Sequence, residues 1–317
     1  MNNFKNLIIV EKDIHMSKKI FVGNYKGGVG KTTSVYSIAV NMSKQGKKVL
    51  LLDLDPQSSL SEICMRNFSN SKSNLSLLEP HETLNYIYDM YLRKIKTYKG
   101  IELKFKLDCL IKKGTDIYFI PSSLFYKNGG LDELSLKMEN KVDYLSILKQ
   151  FVDNIENEKD FDYIFIDCPP SSNVMTQGAF LMSDYYMIPT VLDGMSTNGV
   201  IHYINTINET YMKYCDDNYN EDALFNKHFF GCKPKLIGIF YTLIRGQANY
   251  DQDRTNFKNS LKQLKSESNI YLFKNYINNY IDIARNISQG EISRTKSEDY
   301  KKLTKELIER VNSLEEK

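Results

Sequence analysis

The chain has no tryptophan, four histidines and five cysteines in 317 residues. Cys64, Cys109, Cys168, Cys215 and Cys232 are dispersed, odd in number and never spaced as C-x-x-C. That argues against a disulfide framework or a zinc-cysteine site and fits a reducing compartment. The histidines form no H-x-x-x-H pair, so no histidine metal site is expected. No apolar run reaches the roughly 18 residues that a membrane-spanning helix needs. Near the N-terminus, NLIIV is too short for the core of a signal peptide and Glu11 follows at once, so no secretory leader is expected. A dominant sign of charge is missing too: 42 basic residues face 39 acidic ones, for a net charge of +3. Attraction to nucleic acid must therefore come from local patches.

Alternation is what the sequence does have. Short apolar runs at KIFVGN (19–24), KVLLLDLD (48–55), DIYFIPSS (116–123), YIFIDCPP (163–170), DYYMIPTVL (184–192) and KLIGIFYTLI (235–244) read as buried strands. Between the first two, Val35, Ile38, Ala39 and Met42 follow helical spacing until Gly46 ends the helix. Strands alternating with helices predict an α/β fold, a mostly parallel sheet covered by helices on both faces. Residues 1–17 read as an arm, and 18–317 as one domain with an irregular, basic insertion around 65–113. Within it, residues 65–82 are Ser- and Asn-rich and are expected to be loop. Residues 91–113 carry eight basic side chains against Glu102 and Asp108, a pattern that usually marks a solvated face.

The first strand runs into GNYKGGVGKTTS (23–34) and then into a helix. This order places successive backbone N–H groups and a helix N-terminus around one concavity, which suits a triphosphate. Gly27, Gly28 and Gly30 allow close approach of the backbone, with Val29 and Thr33 completing the loop. Lys31 supplies charge to the β- and γ-phosphate oxygens, and the Thr32 hydroxyl is placed to ligate Mg²⁺. A magnesium nucleotide also calls for carboxylates. Asp167, ending the run Tyr163–Ile166, reads as the acid that holds Mg²⁺ through water. Asp55, two residues beyond Asp53, is the candidate for positioning the attacking water and a further candidate at the metal. Two features are unusual: Tyr25 stands where the phosphate-loop pattern wants its first glycine, and Lys26 is a second lysine at the loop entrance.

KGGVGKTT (26–33), LLLDLDPQ (50–57), IPSS (120–123) and YIFIDCPPSS (163–172) together resemble the ParA/MinD family of deviant Walker-A P-loop ATPases, closest to its DNA-segregation branch. Weaker matches continue through IPT (188–190), IGIFYTLIRG (237–246), DRTNFKNSL (253–261) and ARNISQG (284–290), so the resemblance spans about residues 17–310. It implies ATP and Mg²⁺ as ligands and slow hydrolysis. It also implies that Lys26 reaches across a homodimer to the phosphates of the partner's ATP, so that two nucleotides are sandwiched between subunits. It further implies binding of DNA without sequence preference, stimulation by a ParB-like centromere-binding protein, and a cytoplasmic location on the nucleoid in the ATP state. Arg285, Lys274, Arg294 and Lys296 are the implied DNA contacts; the basic segment 91–113 is a further candidate on its charge alone. The alternatives are a MinD-like positioning ATPase and a nucleotide-gated scaffold with negligible turnover. A MinD-like protein would end in a membrane-binding amphipathic helix. Here the stripe Tyr300, Leu303, Leu307, Val311 and Leu314 is opposed by a face of mixed charge, which predicts a packed helix and no membrane contact.

Overall fold

The computed structural model describes residues 16–68, 74–97, 101–138, 142–216, 218, 221–245, 250–262, 264, 270–279 and 298–316. β1 (Lys18–Val22) leads through the glycine loop into α1 (Lys31–Ser43). β2 (Val49–Asp53) is followed by α2 (Ser59–Phe68), α3 (Leu84–Thr97) and the short α4 (Leu107–Leu110). Then come β3 (Lys112–Lys113), β4 (Tyr118–Ile120), α5 (Leu131–Leu136), α6 (Val142–Leu145) and α7 (Ile147–Glu158). β5 (Tyr163–Asp167), α8 (Val174–Leu181), β6 (Tyr185–Val191), the long α9 (Gly194–Cys215) and α10 (Ala223–Phe230) come next. β7 (Lys235–Thr242), α11 (Asp251–Leu261) and α12 (Glu298–Glu315) complete the described elements.

The seven strands form one sheet in the order β3-β4-β2-β5-β1-β6-β7. All pairings are parallel except β3 with β4. The continuous apolar runs arise because both faces are covered. Leu50, Leu52, Ile164 and Ile166 face one core, while Val49, Leu51, Tyr163 and Phe165 face the other. α1, α2 and α12 supply the second core, and α3, α7, α8 and α9 supply the first. β1 lies between β5 and β6, so the chain leaves it in one direction to form β2 and returns in the other to form β6. Ligands of open parallel sheets bind at such a reversal, beyond the carboxyl ends of the strands.

The expected strands and first helix are present, but two details differ. Residues 65–82 are not simply loop: α2 continues through Phe68, and 75–77 and 80–82 form single 3₁₀ turns. Burial of Leu60, Cys64 and Met65 in the second core holds the helix together despite its Ser- and Asn-rich continuation. β3 escaped the pattern because two residues are too few to show a period. At the opposite edge, residues 271–279 run beside β7, with Ile239 N–H donating to Tyr271 O and Ile277 N–H to Tyr241 O. The C-terminal stripe packs inward as expected: Tyr300, Leu303, Leu307 and Val311 are buried on α12, and the hydroxyls of Tyr300 and Ser34 lie 3.1 Å apart.

Candidate nucleotide site

The loop after β1 turns because Gly28 and Gly30 adopt φ of 72° and 74°, a left-handed conformation that glycine takes without strain. A Cβ on Gly27 or Gly28 would meet nothing within 4 Å, so this backbone fronts open space. Gly30 is the N-cap of α1 and supplies no side-chain cap, and the first turn carries no acid. The initial N–H groups of the helix are thus left for an anion, and the helix dipole favours one there. Thr242 ties the loop down from beneath, its hydroxyl contacting Val29 O at 2.9 Å and Thr190 O at 3.1 Å. Val29 is itself buried and contributes backbone only.

Gly27, Gly28, Gly30, Lys31, Thr32, Thr33 and Asp55 line one side of a cleft of about 900 Å³. Lys31 folds back over the loop, its Nζ donating to Asn24 O and Lys26 O, each at 3.2 Å. Burial lowers the pKa of its ammonium, and Asp167 followed by Asp55 opposes that effect. Asp167 is not among the cleft-lining residues: it is close to Lys31 and Thr32 and 1% exposed, and neither carboxylate oxygen has a hydrogen-bond partner. Burial pushes its pKa well above the usual carboxylate range, and the neighbouring Asp53 adds to this. The Thr32 hydroxyl beside it works against the rise without cancelling it.

The two aspartates of DLD separate in role. Asp53, opposite Asp167 in the sheet register, turns inward: its Oδ2 accepts Ser61 N–H at 2.8 Å and Ser61 O–H at 2.7 Å. Burial raises its pKa to about 6. Asp55 lies past the strand in a turn, with its Oδ1 accepting Gln57 N–H at 2.9 Å, and it faces the cleft. An orphaned buried carboxylate beside a hydroxyl, with a second carboxylate facing the cleft, offers oxygen donors of the type that a hard divalent cation takes.

Lys26 goes elsewhere. It is not among the cleft-lining residues; its Nζ donates to Asp193 Oδ2 at 2.6 Å and to Ser196 Oγ at 2.9 Å, at the start of α9. Tyr25 also turns toward α9, its ring edge-on to Tyr203 with centroids 4.8 Å apart. Of the implied DNA contacts, Lys274 has an exposed side chain, while Arg285, Arg294 and Lys296 lie outside the described residues. In the basic segment, Arg93 is paired with Asp89 and the buried Lys112 with Glu82, so part of its charge is satisfied internally.

Several cleft residues had no motif to announce them. Ser59, Glu62, Ile63 and Arg66 form one face of α2 at i, i+3, i+4 and i+7, a spacing that was readable once the helix was known. Leu243 closes another wall from a left-handed conformation, φ 56°, which no sequence pattern signals. Asp193 and Ser196 did carry a signal, an acid three residues ahead of a serine, which is an N-cap spacing.

A parallel sheet with a glycine loop, lysine and paired carboxylates at the strand reversal defines a nucleotide-binding P-loop fold. The family model described as "AAA domain" matches residues 17–220. The chain belongs to that family, in its ParA/MinD-type P-loop form. It is 28% identical over 194 residues to the sporulation initiation inhibitor protein Soj of Bacillus subtilis, covering 61% of this chain and 65% of that one. It is 25% identical to the chromosome partitioning protein ParA of Caulobacter vibrioides over 59% of this chain and 60% of that one. The match thus spans less than two thirds of these relatives' lengths. Among solved structures, a putative plasmid partition protein of Borrelia burgdorferi bound to AMPPNP superimposes with a TM-score of 0.63 at 21% identity, covering 94% of this chain and 99% of that one. A variant of Cyanothece McdA in complex with ATP gives 0.64 at 19% identity, covering 93% and 96%. These two likenesses support the fold.

Proposed function

We propose that the protein is a Mg-ATP-dependent partition ATPase. In this reading ATP closes two subunits into a sandwich dimer, and the dimer binds DNA without sequence preference. A ParB-like centromere-binding protein then stimulates hydrolysis, and plasmid or chromosomal cargo is segregated. The observation that carries the reading is Asp167, whose unpartnered, buried carboxylate is close to Lys31 and Thr32 at the uncapped start of α1. An acid kept in that state is costly unless a cation completes it. The partition functions named for the Caulobacter and Borrelia proteins support the cargo assignment.

In this account the N–H groups of residues 27–33 and the Lys31 ammonium bind the phosphates. Thr32, Asp167 and Asp55 would hold Mg²⁺, which would neutralise phosphate charge. Asp55 orients the attacking water, and the partner's Lys26 brings a second cation to the transferring phosphoryl group. Among the described residues no helix is long and apolar enough to cross a membrane, and the α12 stripe is occupied by packing against the second core. Being packed, that stripe does not also offer the exposed apolar face by which an amphipathic helix lies on a membrane. The test is steady-state phosphate release with Mg-ATP, with and without duplex DNA and a cognate centromere-binding protein. Slow turnover that rises with both additions, and is lost in Lys31→Ala, supports the proposal. Turnover indistinguishable from Lys31→Ala under every condition overturns it.

A further inference from the structure

Lys26 occupies a defined place in the structure, and that place is not its own cleft. Two of the three N–H donors of its ammonium are committed to the cap turn of α9, one to Asp193 Oδ2 and one to Ser196 Oγ. The same turn is internally closed, with Ser196 N–H donating to Asp193 Oδ1 at 2.7 Å. Asp193 therefore does two jobs with its two oxygens: one caps the helix and the other holds the lysine. Tyr25, next in the chain, docks on the same helix through Tyr203 and, at 5.6 Å between centroids, His202. Both residues that depart from the ordinary phosphate-loop pattern are thus explained by one neighbour, the first turns of α9.

We propose that Asp193, assisted by Ser196, is the resting seat of Lys26, a positioning pair that withholds the lysine from a second subunit until nucleotide-driven closure draws it off. This rests on the sandwich-dimer reading of the preceding subsection. The physical argument is competition. An ammonium with two donors on the α9 cap must release at least one to engage a phosphate with more than a single hydrogen bond. The seat is built to be left: its lysine and aspartate side chains are 39% and 46% exposed, and ion pairs that accessible are weak. A weak seat lowers the population of the closure-competent state without abolishing it, and the apparent dimer affinity falls by that fraction.

The experiment has two readouts. In the nucleotide-free protein, competitive acylation with trace acetic anhydride followed by peptide mass analysis measures the reactivity of Lys26. With Mg-ATP, sedimentation velocity across a concentration series measures self-association. Asp193→Asn keeps a good N-cap side chain and removes the ion pair. It is expected to raise Lys26 acylation several-fold, to leave monomer affinity for ATP unchanged, and to tighten ATP-dependent association by about three- to tenfold. Ser196→Ala, which removes one contact, is expected to shift both readouts in the same direction by less. Unchanged acylation in both variants overturns the seat. Increased acylation with weakened association overturns the withholding role and makes Asp193 a guide for Lys26. If the unsubstituted protein shows no ATP-dependent association while acylation still rises in Asp193→Asn, the dimer reading fails and withholding with it, leaving only the contact.

Discussion

At the scale of single residues, the site is organised around charges kept short of partners. Lys31 is held by two backbone carbonyls rather than by a carboxylate, and Asp167 lies close to it with no hydrogen bond at all. Removing the lysine leaves the phosphates without their main cis cation, so Lys31→Ala is expected to weaken ATP binding by about 100-fold, measured by fluorescent-nucleotide titration. In the proposed role of Asp55, Asp55→Ala keeps ATP binding but loses the carboxylate that orients water. Turnover is expected to fall at least about tenfold while ATP-bound dimers persist; unchanged turnover would reduce Asp55 to a turn residue. Gly23 has a steric role: a Cβ there would lie 1.8 Å from the Tyr203 hydroxyl, which is buried. Gly23→Ala is expected to cost about 1–3 kcal/mol in chemical denaturation. The proposed roles of Lys31, Thr32 and Asp167 could be read from contiguous motifs, whereas the partners of Lys26 are 167 and 170 positions away.

At the scale of elements, α12 is both a packing helix and a clamp on the segment beside β7. The Glu306 carboxylate accepts the Tyr271 hydroxyl, the N–H groups of Lys274 and Asn275, and the Asn275 side-chain amide. Burial alone would raise its pKa, but these four donors outweigh burial and hold it below the usual 4.5. A carboxyl whose pKa is depressed on folding adds stability that is fully present above its unfolded value. That stability is lost as the pH falls from about 4.5 through the depressed folded value. Glu306→Gln is therefore expected to cost about 1–3 kcal/mol at pH 7 and progressively less below pH 4.5, read from urea midpoints at several pH values. An equal cost at pH 7 and pH 3 would contradict this. The strands and α1 could be read from periodicity because burial on both faces writes continuous apolar runs. The extended α2 and two-residue β3 could not, because tertiary packing decides them rather than local preference.

At the scale of the whole molecule, the sheet order brings the loops after β1, β2, β5 and β7 to one cleft, and the start of α9 to the side of it. The proposed cycle needs a second copy of this face, with Lys26 crossing between copies. Lys26→Ala is expected to bind ATP with near-normal affinity yet remain monomeric in sedimentation with Mg-ATP; normal dimerisation would remove the in-trans role. The proposed DNA surface is the least legible part of the sequence. Lys274 is exposed, Arg285, Arg294 and Lys296 lie outside the described residues, and Arg93 and Lys112 of the basic segment are already paired. With a net charge of only +3, affinity for DNA has to come from a local patch that dimerisation doubles. The central claim is tested most directly by binding to a random-sequence DNA duplex with ATP, with ADP and without nucleotide, across a salt series. The account predicts binding only with ATP, weakening steeply as salt rises. Binding that ignores nucleotide state, or no binding in any state while ATP-dependent dimers form, would contradict it.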